Sequence, residues 1–345
     1  MASERLRVAV PPEVATMSPR SGHGRVWTHV LAGLRERVAL EERSGGRRRW
    51  RRRRDVWLAD GHRPLPDGID APLVVQVHEA SWRDPELRAL LDPAFAEALD
   101  ANVTAAVERA NIVITAAASA KRELERAYGL DPERIVIAPH GVDLEVFHPG
   151  LAPPADMRGR PYVLFVGVLH PRKGLPALRE AMAALIAGGL EHALVVVGGP
   201  AGDRADPGGL AADALAELPG APGRLVHREG GGDGELAGLM AGASALCLPS
   251  LHEGFGLPAL EAMACGTPVV VSDRGSLPEL VADAGLVVAP EARAVEAALR
   301  RVLTDGSLAS DLAARGRARA QAFPWSRSVD GWLAALRRAA SLPHA

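Results

Sequence analysis

The chain has 345 residues, enough for two domains of roughly 150 residues each. An apolar content of 48%, a charged content of 24% and a net charge of -2 are ordinary for a globular protein and exclude the basic excess of a nucleic-acid binder. The two cysteines, Cys247 and Cys265, both fall inside apolar runs, which excludes a disulfide scaffold and a structural zinc site of thiolates alone, and fits a reducing compartment.

The opening MASERLRVAV carries no long apolar stretch, so no secretory leader is expected. Short β-branched runs then alternate with longer segments rich in Ala, Leu, Glu and Arg, the pattern of strand–helix units and a parallel sheet. In the first half, strands are predicted at residues 6–10, 38–40, 56–58, 73–77, 112–114 and 134–137, and helices at 25–35, 85–109 and 119–128. Gly129 suits the left-handed end of the last of these. Residues 147–160 (FHPGLAPPADMRGR) are rich in Pro and Gly without apolar periodicity and read as an interdomain linker.

A second alternation follows. Strands are predicted at 162–166, 193–197, 225–227, 245–248, 268–271 and 286–288, and helices at 177–186, 234–241, 258–264 and 292–303. A last amphipathic helix is expected from 326 to 340. The domain reading is therefore 1–150, 151–325 and a terminal helix, 326–345, packing back toward the first domain. The apolar runs fall far short of the roughly 18 residues of a membrane span. The expected location is cytoplasmic. The fold class is α/β, with two Rossmann-like doubly wound domains facing across a cleft, and ligands at the carboxyl ends of the strands.

Four segments carry chemistry. Residues 249–266 (PSLHEGFGLPALEAMACG) follow a strand and open a helix, with Pro258 in its first turn and Gly266 at its end. The loop before that helix meets free amides and the positive dipole end, which favours an anion. Gly254 and Gly256 let the backbone approach closely, and Glu253 and Glu261 suit the gripping of hydroxyls. The plain alternative is an ordinary strand–turn–helix. Residues 166–174 (VGVLHPRKG) place Arg172 and Lys173 on a second such loop, a cation pair fit for a pyrophosphate or, equally, solvated surface charge. His78 (in VQVHEAS) follows a predicted strand at its carboxyl end, where it either meets a ligand hydroxyl or is a satisfied structural histidine. Gly22 and Gly24 (in SGHGRVW) open the first helix, as a close-approach site or a simple turn.

The run from Arg47 to Arg54 (RRRWRRRR) reads as a contact for an anionic membrane surface, with Trp50 at the interface, as a nucleic-acid contact that no nucleic-acid fold accompanies, or as a solvated loop. No Walker loop, paired-histidine zinc motif or nucleophile elbow is present, so no metal site is predicted.

Residues 249–290, from PSLHEGFGLPALEAMACG onward, closely resemble the signature of family 4 retaining glycosyltransferases, which have the GT-B fold. PHGVDLEVFHP (139–149), VGVLHPRKG and VVVGGP (195–200) resemble further parts of that family, in the right order. The similarity is dense from about residue 135 to 290 and weak over the first 70. The resemblance implies that Arg172 and Lys173, with Gly167 on the same loop, bind the donor diphosphate. It implies that Glu261 meets the ribose and that Glu253, with the backbone of Gly254, Phe255 and Gly256, holds the transferred sugar. Leu257 would cover the phosphates, the base would lie near Val226 and Arg228, and His78 would meet the sugar near its 6-hydroxyl. Gly22 and Gly24 would lie on the acceptor side. The implied reaction moves a hexose such as mannose from a UDP or GDP sugar to a glycan, lipid-linked or small-molecule acceptor. It needs no metal and no cofactor, and retains the anomeric configuration through an oxocarbenium-like transition state. A nucleotide-sugar 2-epimerase and a non-catalytic partner subunit in glycan assembly are the alternatives.

Overall fold

Parallel strands covered on both faces by helices have to be largely apolar, and the central strands of this chain are, with polar residues such as Asp60, Gln76, Thr115 and Ser272 at their carboxyl ends. The computed structural model describes residues 5–17, 21–42, 55–200, 215–229 and 231–342, so the arginine run from Arg47 to Arg54 lies outside the described residues. The chain divides into two units, one of Met1–Arg83, Ala96–Gly141 and Trp325–Ala345, the other of Asp84–Phe95 and Val142–Pro324. Residues 147–160 belong to the second unit and include a short 3-10 turn, Ala155–Met157.

In the first unit, β1 (Arg7–Val10), β2 (Ala39–Glu42), β3 (Val56–Asp60), β4 (Leu73–Gln76), β5 (Ile112–Thr115) and β6 (Ile135–Ile137) form a sheet of order β2-β1-β3-β4-β5-β6. Every pairing is parallel. Its helices are α1 (Pro12–Ala15), α2 (Gly22–Arg35), α4 (Pro93–Arg109), α5 (Ala118–Tyr128) and the last helix of the chain, Trp325–Ala340; α3 (Pro85–Arg88) belongs to the second unit. The single helix predicted over 85–109 is thus two. Pro93 has no N–H to continue the first, and Asp92 caps the second by accepting from Phe95 N at 2.9 Å.

In the second unit, β7 (Tyr162–Val166), β8 (Ala193–Val197), β9 (Leu225–Arg228), β10 (Ala245–Leu248), β11 (Val269–Ser272) and β12 (Leu286–Val288) lie in the order β12-β11-β10-β7-β8-β9, again all parallel. Helices α6 (Leu175–Ala187), α7 (Asp233–Gly242), α8 (Leu257–Ala264), α9 (Leu277–Val281), α10 (Ala292–Thr304) and α11 (Gly306–Ala320) cover it; the last helix of the chain is α12. Helix α11 was not expected from the sequence. Asp305 starts it, accepting from Ser307 N and Leu308 N at 3.0 Å. Among the described residues, no helix is long and apolar enough to cross a membrane.

The expected doubly wound α/β class is what the strand orders show. Helix α12 packs on α2 and on β3 through β6. Its Trp332 meets Trp27 of α2 edge-on, ring centres 5.0 Å apart, and both indoles are fully buried. Large-to-small substitution of a buried tryptophan costs about 3–5 kcal/mol. Trp332→Ala is therefore expected to lower the stability of the first unit by about that much in urea unfolding followed by circular dichroism; a loss below about 1 kcal/mol would count against α12 as part of its core.

Candidate functional site

In an open parallel sheet, ligands gather where the strand order reverses, because the loops leaving neighbouring strands part company there. The second sheet reverses between β7 and β10, and the first between β1 and β3. The two loops singled out in the second half of the sequence, after β7 and after β10, flank the first of these points.

The loop after β7 is shaped by its own residues. His170 accepts from Arg172 N through Nδ1 at 3.1 Å and so caps the turn Pro171–Lys173. Gly174 ends that turn at φ 69°, and a Cβ there would lie 1.9 Å from the carbonyl oxygen of Pro249, so only glycine lets the two loops touch. Leu251 N donates to Arg172 O at 2.7 Å, and the Arg172 guanidinium donates back to His252 O at 2.8 Å. Lys173 is thereby delivered to Glu253, Nζ to Oε1 2.7 Å, with the two side chains only 15% and 10% exposed. Ser250 Oγ donates to the same carboxylate oxygen at 2.9 Å. Ser276, leading into α9, donates through both N and Oγ to the Glu253 carbonyl at 3.0 Å.

Gly256 begins α8 at φ 100°. The amides of Gly254, Gly256 and Leu257 make no backbone hydrogen bond among the described residues, so that helix start offers donors in the way an anion site requires. Phe255 and Leu257 are buried, Phe255 edge-on to Phe323 at 6.2 Å. Glu261, in the same helix, is also buried. Gly167 leaves β7 with its amide on Val197 O at 2.9 Å. Val226 and Arg228 stand on β9, the edge strand two places from β7, where Arg228 donates to Glu235 at 3.1 Å and pairs with Asp156. The structure therefore brings Arg172, Lys173, Glu253, Gly254, Phe255, Gly256 and Leu257 together in one place. It keeps Val226 and Arg228 on the far strand.

In the first unit, Gly22 and Gly24 lie in the first turn of α2, where Gly24 N donates to Ser21 Oγ at 2.9 Å. His78 follows β4 and is half-buried. The Gln76 amide nitrogen lies 2.6 Å from His78 Nδ1; with that amide donating, the ring carries its proton on Nε2. Nε2 is buried and has no hydrogen-bond partner among the described residues. Around it stand His23 at 4.3 Å, His62 at 5.3 Å and His140 at 5.4 Å between ring centres. Burial holds the His78 imidazole well below its usual pKa, with His23, His62 and His140 adding to the effect. Burial likewise lowers His23 to about 4, against an opposing pull from Asp60, and lowers His140 to about 3. Burial alone would raise the Asp60 carboxyl, but the bond from His62 and the nearby imidazoles outweigh it and its pKa is lowered.

Ser250, Ser276, His170, Gln76 and the histidines around His78 escaped the sequence reading. Ser250 sits inside the conspicuous motif and His170 inside the second; the others are scattered, and only the fold assembles them.

The family model described as Glycosyl transferases group 1 matches residues 154–319, and that described as Glycosyltransferase Family 4 matches residues 22–146. A D-inositol 3-phosphate glycosyltransferase of Stackebrandtia nassauensis is 37% identical over 241 residues, covering 66% of this chain and 54% of the relative. An MMP alpha-(1->4)-mannosyltransferase of Mycolicibacterium hassiacum is 32% identical over 269 residues, covering 74% of this chain and 62% of the relative. The chain spans about half the length of the curated relatives it matches. Among solved structures, sucrose-phosphate synthase from Thermosynechococcus elongatus superposes with a TM-score of 0.77 at 22% identity, over 97% of this chain and 99% of that one.

The buried imidazoles generate a pH dependence. An unfolded histidine takes its proton near pH 6.5, whereas folded His23 and His140 do so near about 4 and 3. Between those values the unfolded chain binds more protons, so stability falls as pH falls. The contribution is complete above about pH 6.5 and drains away from there toward the folded values. Urea midpoints are expected to drop between about pH 7.5 and 5, with a shallower slope in His140→Asn; a flat profile in the wild type would contradict the neutral cluster.

Proposed function

Because this chain belongs to family 4 of the GT-B glycosyltransferases, we propose that it moves a hexose from a nucleoside diphosphate sugar, of the UDP or GDP type, to the hydroxyl of a glycan, lipid-linked or small-molecule acceptor. The observation that carries the reading is the Lys173–Glu253 contact of 2.7 Å beside the free amides of Gly254, Gly256 and Leu257. A fixed cation, a guanidinium one residue earlier and a helix start together supply positive potential for two phosphates. A carboxylate at the same place supplies an acceptor for sugar hydroxyls.

In this reading the donor diphosphate rests on Lys173, Arg172 and the amides that open α8, with Gly167 giving it room and Leu257 covering it. Glu261 takes the ribose, and the base lies toward Val226 and Arg228. Glu253 and the backbone of the Gly254–Gly256 loop hold the hexose. His78, its proton on Nε2, offers a hydrogen bond to a sugar hydroxyl, and Gly22 and Gly24 border the acceptor. As the anomeric bond breaks, charge builds on the departing diphosphate, and preorganised donors stabilise it more than the ground state. Arg172, Lys173 and the amides do this without a metal. The leaving diphosphate takes the acceptor's proton, and attack on the face it leaves retains configuration. A mannosyl donor and a polyol phosphate or sugar acceptor agree with the names of the two relatives. Because those relatives transfer sugars, the epimerase and non-catalytic alternatives are not favoured.

Loss of a single preorganised donor costs about 10²–10³ in turnover. Lys173→Ala and Glu253→Gln are each expected to lower transfer by at least about a hundredfold, read by release of the nucleoside diphosphate, with circular dichroism unchanged. Turnover like the wild type in either variant would overturn the assignment.

A further inference from the structure

We propose that the first unit carries a binding site for a divalent transition-metal ion of the zinc class, built from His23, Asp60 and His62. The residues come from separate parts of the chain. His23 lies in the first turn of α2, Asp60 ends β3, and His62 lies two residues beyond it. Strands β1 and β3 are the neighbours at which the first sheet reverses, so the loop leading into α2 and the loop after β3 meet at a ligand-binding position of the fold.

A ligand atom from each of the three residues lies within 4.8 Å of the other two. His62 Nδ1 is 3.0 Å from Asp60 Oδ1 and His23 Nε2 is 3.4 Å from Asp60 Oδ2. A tetrahedral ion with bonds of about 2.1 Å sets its ligands about 3.4 Å apart, so each imidazole nitrogen already lies near that spacing from one oxygen of the Asp60 carboxylate. Two imidazoles with one carboxylate suit zinc and its neighbours, not the hard, oxygen-seeking calcium or magnesium. Three protein ligands leave a position for water, and the histidine side chains are 30% and 15% exposed.

Two features of the cluster suit a cation. The Asp60 side chain is fully buried, yet its Oδ2 accepts no hydrogen bond among the described residues. Trp27 Nε1 donates to His23 Nε2 at 3.1 Å, which puts a lone pair on the nitrogen that faces Oδ2. Oδ2 and His23 Nε2 stand 3.4 Å apart beside the Arg63 guanidinium, and a metal ion bound there would take over the role of that cation. Two groups compete with the metal ion. Arg63 Nε stands 3.3 Å from Oδ2 on a side chain 45% exposed, free to swing into solvent, and the Trp27 N–H uses the same lone pair as the ion would. His23 lies between Gly22 and Gly24 and its ring is 4.3 Å from that of His78, so the test reads metal binding itself and not transfer, and its failure leaves the transfer reading standing.

The test is a titration of the full chain, stripped with a chelator and dialysed, with Zn2+ in a calorimeter and in competition with a chromogenic chelator. The chain has 11 histidines, so the variants carry the assignment. Wild type is expected to show one saturable site. His23→Ala and His62→Ala, partly exposed and so tolerable to the fold, are each expected to weaken it by more than about tenfold, since even loss of an outer partner costs that much. Arg63→Ala is expected to tighten it, because a competing positive charge is gone. Binding in the wild type no stronger than in His23→Ala and His62→Ala, or weaker binding in Arg63→Ala, would overturn the proposal.

Discussion

A lysine and a glutamate held 2.7 Å apart, both largely out of water, organise the second unit. Removing either partner from such a pair leaves a buried charge uncompensated, and the cost is strong enough to shape everything around it. The surrounding geometry follows. Gly174 is needed because the loop that delivers Lys173 has to touch Pro249. His170 caps the turn that aims the cation, and Ser250 satisfies the carboxylate from the other side. Ser276 ties the Glu253 backbone to α9. A buried ion pair is a poor device for stability alone. Its persistence here, at the reversal of the sheet and beside unbonded amides, makes sense as a preorganised electrostatic device.

The first unit uses a different principle. Its loops at the sheet reversal carry imidazoles and one buried carboxylate in place of a cation–carboxylate pair. Burial keeps His23, His78 and His140 neutral, so they act as directional hydrogen-bond donors and acceptors or as ligands. Gln76 sets the tautomer of His78 by donating to Nδ1, leaving a protonated Nε2 as an oriented donor. The two units thus differ in their electrostatics: a buried cation–carboxylate pair in the second, neutral imidazoles around one carboxylate in the first.

Much of the second unit could be read in the sequence because its function is local. Two loops of about ten residues, each after an apolar strand, hold Arg172, Lys173 and Glu253, and strand–loop–helix order places them. The first unit resisted for the opposite reason. His23, Asp60 and His62 have no common motif, and only the strand order β2-β1-β3 makes neighbours of the loops that bear them. Local errors have local causes. The predicted helix over 85–109 ignored the break that Pro93 imposes. Helix α11 was missed because its buried face is Leu312, Gly316 and Ala320, small residues without a strong apolar period. Gly316 is small because Met263 of α8 lies against it. The strands of both sheets were found nearly to their ends, since doubly buried strands are continuous apolar runs.

The proposed chemistry depends on Lys173 and its loop binding a diphosphate. Calorimetric titration with UDP and GDP, compared with uridine and guanosine, tests it without any need for the acceptor. A nucleoside diphosphate is expected to bind far more tightly than its nucleoside, and Lys173→Met to remove most of that difference. Equal affinity for diphosphate and nucleoside, or an unchanged difference in the variant, would contradict it.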